Sequence, residues 1–390
     1  MKHVFFLTKN YPPEICGVGD YTAQLVDNLQ ANNFSYGAIC AKNDAVLERK
    51  RGHVNIYPVI ARWNRKMPLE LLSFLKAHKP EAICIQYVPY SFSNKGVPFY
   101  LILLIILIRL SGVRVYVFFH EVRNRISLRK VGFNKSIIGL LQMSIAYALC
   151  FAARPIGTTT KLYQSFLKPF NVPVWPVTSN FGQLSSEEEV GTFGYSNSEK
   201  RIVVFSNRLS EAVLNALAYV YKSGVKFRLH VVGYIEKERR ISQQKLTQQY
   251  LPNEYFLFHT DYDNEFIASV IKEAYLYIHH EPIDEYGEGG ISTKSGLVLA
   301  AFAYGRCLVG TCGDMTDESF FRSNENYICA NFLCPADLSA KLSYLLLNPE
   351  KTLSVGRNAY QSYKGYSSFS ILSKRYTDFF SNEFTIRKTN

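Results

Sequence analysis

Three stretches carry residue types and spacings suited to chemistry. The first is TKNYPPEICGVGDYT, residues 8–22. Pro12-Pro13 stiffens the chain as it leaves an apolar run, and Gly17 and Gly19 let backbone approach a ligand closely. A helix beginning at about Asp20 then turns its unpaired N–H groups toward an anion. The pattern is not the dinucleotide GxGxxG, because Ala23 follows Thr22 where a third glycine is needed. A plain turn with Asp20 as N-cap accounts for the same residues.

The second stretch is Phe118-Phe119-His120-Glu121, at the end of a strongly apolar run. His120 suits a hydrogen bond to a sugar hydroxyl or a phosphate, and its ordinary titration range suits proton traffic. A satisfied structural histidine is the alternative. The third stretch, residues 287–311, reads GEGGISTKSGLVLAAFAYGRCLVGT. Gly287, Gly289 and Gly290 make a permissive loop, and Ser292, Thr293, Lys294 and Ser295 crowd the start of a helix that Gly305 ends. Hydroxyls and a lysine at a helix N-terminus suit a diphosphate; an N-capping serine beside a solvated lysine is the bland alternative. Asp261-Tyr262-Asp263 has the form of a metal-binding DxD, but it precedes a helix from about Glu265 and reads as an N-cap loop. No metal site is expected.

Short apolar runs alternating with helical patterns must position these residues. Strands are expected at 4–7, 36–41, 54–59, 82–87, 113–119, 155–158 and 172–177, with helices near 20–31, 67–78, 97–110, 135–152 and 160–167. After the polar, acidic stretch 183–199, which reads as a linker, the alternation restarts. Strands then fall at 201–205, 227–232, 255–259, 275–280 and 307–310, with helices at 211–223, 264–273, 292–304, 336–347 and 366–383. The alternation implies parallel strands with crossover helices, so the fold class is α/β: two Rossmann-like domains facing a central cleft. The domains are expected at 1–182 and 200–365, with 366–390 as a closing helical segment.

The chain has 390 residues and a formal net charge of +12. A basic excess suits nucleic acid, an anionic membrane or phosphorylated small molecules. With no zinc-finger, RNP-type or KH-type signature, nucleic acid is set aside. The eight cysteines include no CxxC pair, and several lie in apolar runs, as in AICIQY around Cys84. They read as buried reduced thiols of a cytoplasmic protein. The run 97–108 is too short to span a bilayer by itself. Arg123, Arg125, Arg129 and Lys130 sit between the apolar helices 97–110 and 135–152. That pairing suits peripheral contact with an anionic membrane on the inner face of the cell; ordinary core crossovers of a parallel sheet would leave the same pattern.

Taken in order, PPEICGVGDYTAQL, QYVPYSFSNKGVP, FFHEVRN and GGISTKSGLVLAAFAYGRCLVGT resemble glycosyltransferase family 4. The resemblance implies the GT-B fold and a retaining, metal-independent transfer from a nucleotide-sugar donor, with no other cofactor. The acceptor would be a glycan or a polyprenyl-linked molecule in surface polysaccharide assembly. It places Gly17, Gly19, Arg208, Gly290, Ser292, Thr293, Lys294 and Ser295 around the donor. It makes His120 and Glu288 the candidate catalytic residues and puts Asp20, Tyr90, Glu121 and Arg123 on the acceptor side. It also implies that 366–383 crosses back onto the first domain. Two departures stand out. Ser292 and Ala300 occupy the positions of the usual glutamate pair, and Asn207-Arg208-Leu209 lacks the lysine that normally follows, a charge Lys294 would replace. These departures keep two other readings open: a catalytically silent nucleotide-sugar-binding scaffold and a sugar-nucleotide epimerase on the same fold.

Overall fold

The computed structural model describes residues 2–14, 16–29, 34–42, 49–51, 54–64, 66–124, 133–192, 194–195, 199–259, 263–283 and 289–385. The chain divides into two compact units, one of residues 1–178 with 369–390, the other of residues 179–368.

The first unit is built on β1 (Lys2–Leu7), β2 (Phe34–Ala41), β3 (Arg49–Arg51), β4 (Val54–Ile60), β5 (Ala82–Tyr87), β6 (Arg114–Phe119) and β7 (Arg154–Thr158). They lie side by side in the order β3-β4-β2-β1-β5-β6-β7. All pairings are parallel except that of β3, which runs antiparallel to β4 at the edge. Every residue of β5 is buried, as expected of a central strand covered on both faces. The chain builds outward from β1 to β4, then returns to place β5 on the other side of β1. The carboxyl ends of β1 and β5 therefore flank a topological switch point, where ligands bind in such sheets.

The second unit repeats this plan. β8 (Arg201–Phe205), β9 (Arg228–Val232), β10 (Phe256–His259), β11 (Leu276–His279), β12 (Cys307–Gly310) and β13 (Ile328–Cys329) lie in the order β10-β9-β8-β11-β12-β13. All are parallel, and the switch point falls between β8 and β11. Aliphatic residues of one sheet face, such as Val204, Leu229, Val231 and Ile278, pack with Leu214 and Leu217 of the helix Glu211–Lys222.

Several expectations need correction. The segment 183–199 is not a free linker. Its described residues pack onto the second unit, where Leu184 N donates to Ala303 O at 3.1 Å and Val190 is fully buried. The guanidinium of buried Arg306 donates to Val190 O and Ala274 O, which ties the segment down. Its polar composition hid a few buried anchors. Residues 172–177 form no strand, only a single bridge from Val174 to Thr158. Cys312 and Cys329 are bonded to each other, so not all cysteines are free thiols; Cys16, Cys40, Cys84, Cys150, Cys307 and Cys334 are. The closing helix Phe369–Thr385 packs on the first unit: Tyr376 and Phe380 lie against Phe6, and Tyr376 against Phe118 and Trp175.

Candidate functional site

At the switch point of the second sheet, three chain segments converge. Beyond β8 the chain makes a short 3-10 turn, Ser206–Arg208, which aims Arg208 across the end of the sheet. Beyond β11 come His280 and Glu281. Arg208 Nη2 lies 2.9 Å from Glu281 Oε2, and Arg208 Nη1 donates to Glu281 Oε1 at 3.2 Å. This is the two-pronged pairing that guanidinium geometry favours. Both side chains keep partial contact with solvent, at 23% and 30% exposure. Burial disfavours the Glu281 carboxylate, but the His279 hydrogen bond and the charges of Arg208 and Lys294 outweigh it, holding its pKa below the usual range. Lys294 thus belongs to the same electrostatic cluster.

His279 is fully buried, and burial lowers its pKa. Its Nε2 lies 3.4 Å from Glu281 Oε2. A neutral ring that donates from Nε2 leaves Nδ1 as an acceptor, and among the described residues Nδ1 has no hydrogen-bond partner. The Tyr277 hydroxyl, Arg208 Nε and Asn180 Oδ1 are likewise buried, without partners among the described residues. Buried polar groups are nearly always satisfied, so such groups in and around the Arg208–Glu281 cluster point to a place built for a polar ligand. The Glu281 backbone is fixed by Thr311, whose Oγ1 donates to Glu281 O at 2.6 Å. His280 Nδ1 lies 2.7 Å from Ser210 Oγ, and its ring stacks on Phe332.

The phosphate-helix expectation shifts by one turn. The helix is Gly296–Ala303, not 292–304, and Ser295 is its N-cap, accepting from Val298 N at 3.3 Å. The Ser295 hydroxyl is therefore spent on the helix itself. Ser292 and Thr293 are buried in the preceding turn, where Ser292 O accepts from Ser295 N. At Gly296 an added Cβ would lie 2.3 Å from Asn180 Oδ1, so glycine lets the Asn180 side chain lie over the helix start. Gly290 has φ of +84°, and the loop it shares with Gly289 is held by Asp314, whose Oδ1 accepts from Gly289 N at 2.9 Å. Gly287 and Glu288 lie outside the described residues, as do Asp261, Tyr262, Arg125, Arg129 and Lys130. Asp263 caps the helix Asn264–Lys272, accepting from Phe266 N at 2.8 Å.

The switch point of the first sheet has a different character. The helix after β1 is Gly17–Asn28, with Cys16 at the N-cap position. Asp20 thus lies inside the first turn and is not the cap. A Cβ on Gly19 would lie 2.5 Å from Asn10 O, so glycine lets the loop lie against the helix; Gly17 faces open space. His120 follows β6. Its Nε2 lies 2.8 Å from Gln86 Oε1, and Gln86 Nε2 donates to Cys84 Sγ, which sets the amide's orientation. Edge-on rings of Tyr21 and Phe118 enclose the imidazole. Burial pushes the His120 pKa down to about 3. The ring is therefore neutral near pH 7 and is a hydrogen-bonding group, not the proton shuttle its ordinary titration range suggested.

Among the expected acceptor-side residues, Tyr90 accepts from Asn124 Nδ2 at 2.6 Å. Arg123 lies over the Phe166 ring at 3.8 Å and donates to Asn124 O. Glu121 is half-buried, its N–H directed at Tyr87 O. The structure thus gathers Arg208 and Lys294 in one cluster, and Gly19 and His120 each border the first switch point. Glu281, His279 and Thr311 were missed. The signal for Glu281 was present: it is the first carboxylate after a strand, at a position where ligands bind.

No protein-family model matches the sequence, and no curated protein matches it. Solved structures do resemble it in fold. A sucrose-phosphate synthase (tll1590) from Thermosynechococcus elongatus superposes with a TM-score of 0.70 at 12% identity, over 99% of this chain and 100% of that one. WaaG, a glycosyltransferase involved in lipopolysaccharide biosynthesis, gives 0.63 at 13% identity, over 96% and 99%. A putative UDP-N-acetylglucosamine 2-epimerase from Listeria monocytogenes gives 0.63 at 12%, over 98% and 97%. The chain has the fold of two Rossmann-like domains, GT-B, that these enzymes share.

Proposed function

We propose that this protein is a glycosyltransferase that takes a sugar from a nucleotide-sugar donor, with the donor diphosphate held beside Arg208 and Lys294. The observation that carries the reading is the convergence of two cations, one ionised carboxylate and several unpartnered buried polar atoms on the β8/β11 switch point. The neighbours' own ligands support it: a structure of Anabaena HepE of the same fold contains UDP and glucose. In this reading the guanidinium and ammonium stabilise charge building on the departing diphosphate, work that fixed positive groups do without a metal. Glu281 keeps Arg208 aimed and offers acceptor oxygens to ligand hydroxyls. His120, neutral and fixed by Gln86, is a hydrogen-bonding group suited to a ligand hydroxyl at the first unit's switch point. Retention of configuration, a glycan or polyprenyl-linked acceptor, and a role in surface polysaccharide assembly complete the proposal.

The test is thermal melting of the purified chain against a panel of nucleotides and nucleotide sugars. A ligand at about 100 times its Kd adds about 2.7 kcal/mol of stability. A shift selective for one nucleoside diphosphate and lost in Lys294→Ala supports the site and names the base. No shift with any member sinks it. A carboxylate in the cluster also suits the epimerase reading, which the third neighbour shares. Conversion of a nucleotide sugar to its epimer with no acceptor present would decide for that alternative.

A further inference from the structure

The helix Tyr100–Leu110 is apolar on every side. Leu101, Leu104, Ile105 and Ile108 are buried. Phe99, Leu103, Ile106 and Leu110, at 52%, 56%, 44% and 79% exposure, face outward, and their spacing puts them on one helical stripe. The neighbouring helix Phe133–Ala152 repeats the arrangement: Ile145, Ala146 and Leu149 are buried, while Phe133, Ile137, Leu140 and Phe151 are exposed along one side. A helix that is hydrophobic all round is normally covered on every side, and adjoining exposed apolar stripes mark an interaction surface. The two helices are neighbours with their carboxyl ends together, since Arg109 Nη1 donates to Ala152 O at 2.8 Å.

At that shared end the surface turns basic. An open cavity of about 500 Å³, at the amino ends of β6 and β7, is lined by Arg109, Arg114, Arg154, Phe151 and Glu383. Glu383 pairs with Arg154, and its carbonyl accepts from Arg114 at 3.2 Å. Three guanidiniums against one carboxylate leave the cavity positive. It lies at the opposite end of β6 from His120, so it is no part of the site described above.

We propose that this face is a peripheral membrane-docking surface: the paired apolar stripes lie in the interface and the arginine-lined cavity receives the phosphate of an anionic lipid headgroup. Apolar surface and adjacent cations together are what an anionic bilayer binds. A second copy of the chain would bring another positive cavity in place of the anion. The proposal stands independently of the donor site.

The experiment is co-sedimentation of the full chain with vesicles of phosphatidylglycerol in phosphatidylcholine, against phosphatidylcholine alone. Binding to the anionic vesicles should exceed that to neutral ones about tenfold and weaken with salt. Leu103→Glu with Ile106→Glu, and separately Arg109→Glu, should each reduce it about tenfold. Leu110→Ser with Phe151→Ser, at exposed positions, serves as a second apolar variant should the first melt early. Melting temperature with and without nucleotide checks that each variant is folded with its donor site intact. Equal binding to both vesicle types, or binding that no variant alters, overturns the proposal. So does a dimer in light scattering that the apolar variants dissolve, with no vesicle binding.

Discussion

The two switch points are built on the same strand order and differ in chemistry. The one between β1 and β5 is bordered by aromatic rings and amides: His120 hydrogen-bonds to Gln86 and sits between Tyr21 and Phe118, its charge suppressed by burial. The one between β8 and β11 is charged, with Arg208 on Glu281 and Lys294 close enough to lower the carboxyl pKa. The same backbone frame therefore offers a neutral hydrogen-bonding surface in one unit and a cationic cluster in the other. In the reading proposed above, an anion would sit at the second, and the first would serve neutral hydrogen bonding.

The strongest way to break the comparison is to remove the cation. Arg208→Met should weaken binding of a nucleoside diphosphate by about 3 kcal/mol, roughly a hundredfold, in titration calorimetry. His120→Ala should change the same affinity by less than about 0.7 kcal/mol. Equal losses in both variants would erase the distinction between the units.

Acid comes next in size. His120 has a folded pKa of about 3 against an ordinary value of 6.5. Above pH 6.5 the ring is neutral in both states and its stabilisation is complete. As pH falls below 6.5 the unfolded chain takes the proton first, so stability declines continuously toward pH 3. Between pH 6.5 and 5 the loss is about 2 kcal/mol. Denaturant unfolding at the two pH values should show it as part of a larger loss, since burial also lowers the pKa of His230 and His279. His120→Gln, which does not titrate there, should make the slope shallower. An unchanged slope would mean that the ring is not held neutral.

The smallest pair of effects concerns the two glycines. Gly19→Ala drives a methyl against a backbone carbonyl, Asn10 O, and Gly296→Ala drives one against the Asn180 side chain. Backbone yields less readily than a side-chain amide, so melting should register about 2 kcal/mol for the first and about 1 kcal/mol for the second. The reverse order would show that the Asn180 amide is the more rigidly held of the two.

Much of the frame was legible in the residues. AICIQY and RVYVFF are apolar but for Gln86 and Arg114, and they are interior strands of the first sheet. The helix Met67–His78 and the strand Arg201–Phe205 fall where the pattern placed them. The elements that were not legible lack a hydrophobic pattern. β3 is three charged residues, Arg-Lys-Arg, at a sheet edge, a run with no hydrophobic period. The helix Lys237–Gln248 buries only Thr247, so it shows no apolar stripe. The helix Pro349–Tyr366 buries tyrosines and small residues between polar ones, which blurs its period. In the candidate site, Lys294 was legible from its place beside the hydroxyls of a glycine-rich loop, and Arg208 only through the family resemblance. Glu281 carries no motif of its own in the sequence, and the glycines that follow it carry the local pattern.

By itself, then, the amino-acid order determined the alternation of strand and helix, because burial of each strand demands an apolar run and each crossover a helical period. It also marked the loops after the strands as the places to look for polar groups, since ligands of open α/β sheets bind beyond the strands' carboxyl ends. Only the tertiary structure decided that Arg208, Glu281 and Lys294 meet, and that His120 is held neutral beside Tyr21 and Phe118. Those residues are far apart in the chain. Their meeting depends on which strands become neighbours at the switch points, and their charge states depend on burial and nearby charge that local sequence does not encode.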